Sequence, residues 1–261
     1  LIASAQLPAT LRSLPTMSAA RQRDLIAMPY SIAAVLLLIT SIAVGCLYCL
    51  DAMHGERRDR SILFWKSLPV SDATTVFAKA SVPLVVLPLL TFVIGTAVHI
   101  VLVLVSTIIT LASGIELATL WSQLPLLRMP VGFFWFLLAM ALWYAPLYAW
   151  LLFISARAKR GTFIWAVVPP LALLALETTM LKTSMFMTLM KSRVAGGLER
   201  AFSAAPKTAS ALEPGTSADG IFPDPTKFLT STGLWIGLII AALLIYAAIH
   251  VRRRREPIRL R

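Results

Sequence analysis

Residues 81–112 read SVPLVVLPLLTFVIGTAVHIVLVLVSTIITLA, a run of 32 positions without a single Lys, Arg, Asp or Glu. Bilayer hydrocarbon is about 30 Å thick and takes about 20 helical residues to cross. The run is apolar on every face, unlike the alternating segments of about ten residues that build membrane barrels. In lipid no water satisfies the backbone N–H and C=O groups, so a crossing segment must be a helix. A hairpin would need roughly 40 apolar residues and a polar turn. Gly95 alone supplies no such turn, so the run is read as one helix of about 48 Å that tilts or protrudes.

Working outward, four more segments have the same character: 29–50, 131–155, 161–181 and 229–250. The expected architecture is therefore all-α, a polytopic helical membrane protein with five transmembrane helices. Composition agrees, with 58% hydrophobic residues, 14% charged residues and a mean hydropathy of +0.81. Soluble domains lie near 45–50% apolar and about 25% charged. Pro169 and Pro170 are expected to kink or break the fourth span.

The net charge of +12 is not spread evenly. Fourteen of the 24 Lys and Arg residues fall within 51–80, 156–160 and 251–261. Five spans put those three segments on one side, and the excess of basic residues marks that side as cytoplasmic. Topology and anionic lipid headgroups thus account for the basic tail without nucleic acid. Residues 1–28 then lie outside, together with the interfacial segment 113–130 and with 182–228. In the latter, 182–205 has the pattern of an amphipathic or re-entrant helix, and 206–227 reads as a mobile loop. Arg12, Arg21 and Arg23 would need a further span before Leu1 to reach the outside, giving six in the intact protein.

The cytoplasmic connector and the start of the next span, residues 54–83, read HGERRDRSILFWKSLPVSDATTVFAKASVP. Asp59 or Ser61 is expected to cap a short helix carrying Ile62, Leu63, Phe64, Trp65 and Leu68. Pro69 ends that helix. Ser71 or Asp72 caps the next one, which enters the second span through Lys79. Aromatic side chains on a solvent-facing helix suit docking to a partner protein or lying on the lipid surface.

Glu56-Arg57-Arg58, Ser61, Ser67-Leu68-Pro69-Val70-Ser71 and Lys79 resemble the pattern of ABC transporter permeases of the type-2 exporter family. Arg60-Ser61 stands where that family has Gly-Thr, and Ala78 where it has Gly. The resemblance implies six spans, a dimer of permeases in the bacterial cytoplasmic membrane and a separate P-loop ATPase. It also implies that Glu56, Arg57, Arg58, Ser61, Phe64, Trp65, Leu68, Pro69, Val70 and Ser71 form the ATPase-coupling segment. The chain contains no GxxxxGK[ST] loop, so ATP and Mg would be held by the partner.

Other signals are weaker. His99 and Glu177 are candidate translocation-path residues, since ionisable groups within spans mark pathways. Their alternatives are a neutral histidine bonded to a neighbouring helix and a carboxylate paired with Lys182. Cys46 and Cys49 read as packing residues, because a metal site needs more ligands. Trp135, Trp143 and Trp150 read as packing and interface residues. No catalytic, cofactor-binding or metal-binding set stands out. An ion-driven secondary transporter and a non-transporting membrane scaffold are the rival readings. The first would favour charges and broken helices at the midplane, and the second a large soluble domain.

Overall fold

The computed structural model describes residues 19–59, 61, 64, 67, 69–112, 128–181, 183–203 and 222–254. Their order is α1 (Ala19–Asp51), α2 (His54–Arg58), α3 (Asp72–Ser81), a π-helical turn (Val82–Val86), α4 (Leu87–Ala112), α5 (Arg128–Arg157) and α6 (Thr162–Leu176). A second π-helical turn (Glu177–Leu181) leads to α7 (Met185–Ala201), β1 (Phe202–Ser203), β2 (Phe222–Pro223), α8 (Pro225–Leu229) and α9 (Thr232–Arg254). Five helices are long and apolar enough to cross a membrane, and the chain is a multi-pass helical membrane protein.

Helix α5 is the hub. It buries Phe133, Leu137, Met140, Trp143, Tyr148 and Leu152 against the other helices. Lipid tails are as apolar as leucine, so close backbone approach and shape matter more than hydrophobicity between spans. Ala145 and Ala149, one turn apart on α5, meet Ala241 of α9 in such a contact. Gly95 plays the same part between α4 and α5, since a Cβ there would overlap the Phe133 ring. The outward faces are lipid-like, with Leu36, Ile39 and Leu47 exposed on α1 and Val93, Leu104 and Ile108 on α4.

The second span is a single helical run, Asp72–Ala112, and it begins nine residues before the apolar stretch. Ser71 starts it by accepting the Thr74 N–H at 3.1 Å. Pro83 lacks the N–H that would bond Lys79, and the helix widens there instead of breaking. The Leu87 N–H reaches the Val82 carbonyl five residues back.

Several boundaries differ from the sequence expectation. Helix α1 begins at Ala19, ten residues before the apolar run. Helix α6 runs on across Pro169-Pro170, because lost backbone bonds near neighbouring helices and hydroxyls can be made up locally. A helix not expected from sequence, His54–Arg58, precedes the connector helix, and Asp59 ends it by donating its N–H to the Gly55 carbonyl at 2.8 Å. Of the expected connector helix Phe64 and Ser67 are helical, and most of the rest lies outside the described residues. The expected mobile loop is ordered at its end. There β2 pairs with β1 antiparallel, and Asp224 caps α8 through the Lys227 N–H. Gly161, at φ 61°, makes the tight turn between α5 and α6, a left-handed geometry that glycine adopts without penalty.

Gly95→Ala is expected to cost about 1–3 kcal/mol through overpacking, read as a lowered thermal midpoint in detergent. An unchanged midpoint would show that the α4–α5 contact does not constrain the bundle.

Candidate functional site at the basic face

The charged ends of four spans meet on the face that carries the basic segments. Helix α2 has no cap of its own. Instead Ser155 Oγ, from the last turn of α5, accepts the Met53 and His54 N–H groups at 3.1 and 3.0 Å. The last carbonyls of a helix have no intrahelical partner and carry its negative dipole end. Arg57 fills that role for α5, donating to the Ser155 and Ala158 carbonyls at 2.5 and 2.7 Å. His54 Nε2 lies 3.3 Å from the Lys159 carbonyl.

The residue before Arg57, Glu56, faces two cations. Its Oε1 is 2.8 Å from Lys79 Nζ, and its Oε2 is 2.7 Å from Arg252 Nη1. Arg252 continues to Asp72 at 3.1 Å. Lys79 also donates to the Ala52 carbonyl, the turn between α1 and α2. Two carboxylates thus balance two cations, and Arg252 is only 4% exposed. A buried ion is costly to desolvate and persists only when well paired. The network joins the turn after α1, both ends of α3 and the end of α9, while Arg57 and Ser155 add α5.

The rest of the connector faces outward. Arg58 pairs with Asp59 at 3.2 Å, both exposed, a contact of little energetic weight. Ser61 Oγ lies 3.4 Å from the Glu56 carbonyl. Phe64 is 62% exposed; Pro69, Val70 and Ser71 are exposed too, as is Phe77 on α3. Trp65 and Leu68 lie outside the described residues. Of the expected coupling segment, then, Glu56 and Arg57 belong to the clamp, Ser61 lies beside it, and Arg58, Phe64, Pro69, Val70 and Ser71 are exposed.

Asp72, Arg252 and Ser155 were not singled out as site residues from sequence. Asp72 reads there as a helix cap and Arg252 as one of a basic run. The signal that could have found them is the lone acid beside Ser71, with a basic helix end on the same side of the membrane.

His99 and Glu177 stand apart from this clamp. His99 Nε2 is 3.4 Å from the Tyr30 carbonyl, and its ring lies between Tyr30 and Phe133. Glu177 is buried, and its carboxylate accepts the Phe186 N–H at 2.8 Å, the Met187 N–H at 3.3 Å and the Thr183 hydroxyl at 3.2 Å. It therefore caps α7, a favourable place for negative charge. Lys182, the expected partner, lies outside the described residues.

Glu56→Gln is expected to destabilise the protein by about 3–5 kcal/mol, and Asp72→Asn by less, because Asp72 serves one cation and is more exposed. Thermal midpoints in detergent check the order, and equal effects would contradict the bridging role. Glu177→Ala should cost about 1–3 kcal/mol, with Glu177→Gln milder because it still accepts hydrogen bonds. Faster amide exchange confined to the first turn of α7 is the expected signature. Comparison with protein-family models, curated proteins and solved structures finds no match to this chain.

Proposed function

We propose that the chain is the membrane permease subunit of an ATP-driven exporter in a bacterial cytoplasmic membrane. It works with a second permease copy and a separate P-loop ATPase that binds ATP and Mg. The observation that carries this reading is the build of the connector: its root is clamped to four spans, and its tip presents Phe64 and Val70 to solvent. The resemblance of residues 56–79 to type-2 exporter permeases supports the same reading.

In this mechanism the partner ATPase grips the apolar tip. Movement of the tip passes through α2 to Glu56, and from there to α3 and α9 through Lys79 and Arg252. Rigid helices transmit such a displacement as a body rather than by bending, which is what a two-state rocking transition requires. The chain itself performs no chemistry, and substrate selection belongs to the spans.

Purification from the native host with a mild detergent tests the proposal. A P-loop ATPase is expected to co-purify. Phe64→Ala combined with Trp65→Ala should weaken that association by roughly 30-fold or more, as for a central aromatic contact, with no change in the thermal midpoint of the permease. Retention of the ATPase by the double variant would remove the docking role. Labelling of a Phe64→Cys variant from the external side only would remove the exporter reading altogether.

A further inference from the structure

Beside the first turn of α9, remote from the clamp, two guanidinium groups rest on one indole. Arg193 and Arg200 are seven positions apart on α7, which brings them to the same side of the helix. Arg193 Cζ lies 4.6 Å from the centroid of the Trp143 ring, and Arg200 Cζ lies 5.0 Å from it. Trp143 is fully buried in α5, and its Nε1 donates to the Arg193 carbonyl at 2.9 Å.

The two arginines are not equally satisfied. Arg193 donates to the Trp143 and Gly233 carbonyls at 3.3 and 2.5 Å. Arg200 donates to the Gly196 carbonyl at 3.1 Å, one bond for a group with five donors. Among the described residues no carboxylate pairs with either. Burial and the nearby charge of Arg200 pull the Arg193 guanidinium below its ordinary value. Two like charges so placed call for an anion.

Depth and surroundings say which anion. Gly233, whose carbonyl accepts from Arg193, is the second residue of α9 and 19 residues from Arg252, about 28 Å along that helix, which places the pair at the end of the span remote from the basic face. Leu189 and Met190, one turn before Arg193 on the same side of α7, are exposed at 59% and 41%. A phosphate beside the arginines would thus sit next to an apolar surface for hydrocarbon chains. We propose that Arg193 and Arg200 hold the phosphate of an anionic phospholipid, whose acyl chains run along Leu189 and Met190. Guanidinium forks match phosphate oxygens in pairs, and the net charge of the pair favours a lipid with net negative charge.

The test titrates the full chain, purified in a neutral detergent, with dihexanoylphosphatidylglycerol, dihexanoylphosphatidylcholine or inorganic phosphate, and reads binding by calorimetry. Saturable binding of the phosphatidylglycerol at one per chain is expected, with markedly weaker binding of the phosphatidylcholine. Arg200→Gln should weaken the former by roughly tenfold or more, and Lys191→Gln, on the exposed face of the same helix, should leave it unchanged. If Arg200→Gln fails to fold, Arg200→Lys keeps the charge but loses the fork and should bind severalfold more weakly. Unchanged affinity in the folded Arg200 variant would overturn the proposal. So would an equal loss in Lys191→Gln, equal binding of the two lipids, or displacement of the lipid by millimolar inorganic phosphate.

Discussion

A carboxylate has two oxygens, and in this protein Glu56 gives each to a different helix. Lys79 arrives from the start of the second span and Arg252 from the end of the last. Removing Glu56 would leave Lys79 without a carboxylate and Arg252 with Asp72 alone, which is far costlier than the net gain of the intact pairs. The interaction therefore acts less as a source of stability than as a lock on geometry. It fixes where α2, α3 and α9 stand relative to one another, and Arg57 adds the end of α5.

The two ends of the bundle solve one problem in two ways. Between spans, apolar contact discriminates weakly, because lipid tails offer nearly the same environment. Specific geometry must come from close backbone approach or from polar groups. At the centre the alanines of α5 and α9 provide the first. At the basic face four charges provide the second. At the far end charged side chains meet backbone groups: Glu177 caps α7, and Arg193 joins α7 to the Trp143 and Gly233 carbonyls. The connector is thus rooted in a network of paired charges, while Phe64 at its tip is left to solvent. That contrast between a fixed root and an exposed apolar tip gives the proposed coupling role its physical sense.

Local signals in the sequence were read well where the physics is local. Ser71 caps α3 as its position before an acidic first turn suggests, and the amphipathic stretch after the fourth span is the helix Met185–Ala201. They fell short where a neighbour intervenes. The charged stretch before Asp59 carries no cap signal of its own, yet His54–Arg58 is helical because Ser155 of α5 supplies the cap. Pro169-Pro170 reads as a kink or a break, and α6 continues through it without a break. Glu177 carries no local sign that its carboxylate meets the backbone N–H groups of α7.

By itself the sequence determined the helical class and the five spans, because lipid enforces both through length and backbone bonding, and neither depends on which residues become neighbours. It also determined which segments carry the basic charge. Only the tertiary structure decided that Asp72 and Arg252, 180 positions apart, would share an ion pair, and that Glu56 would bridge two cations. Charge type and hydropathy are properties of single residues, whereas pairing requires that two helices end at the same depth and turn the right faces to each other. Those relations are set by packing around α5, and no local pattern encodes them.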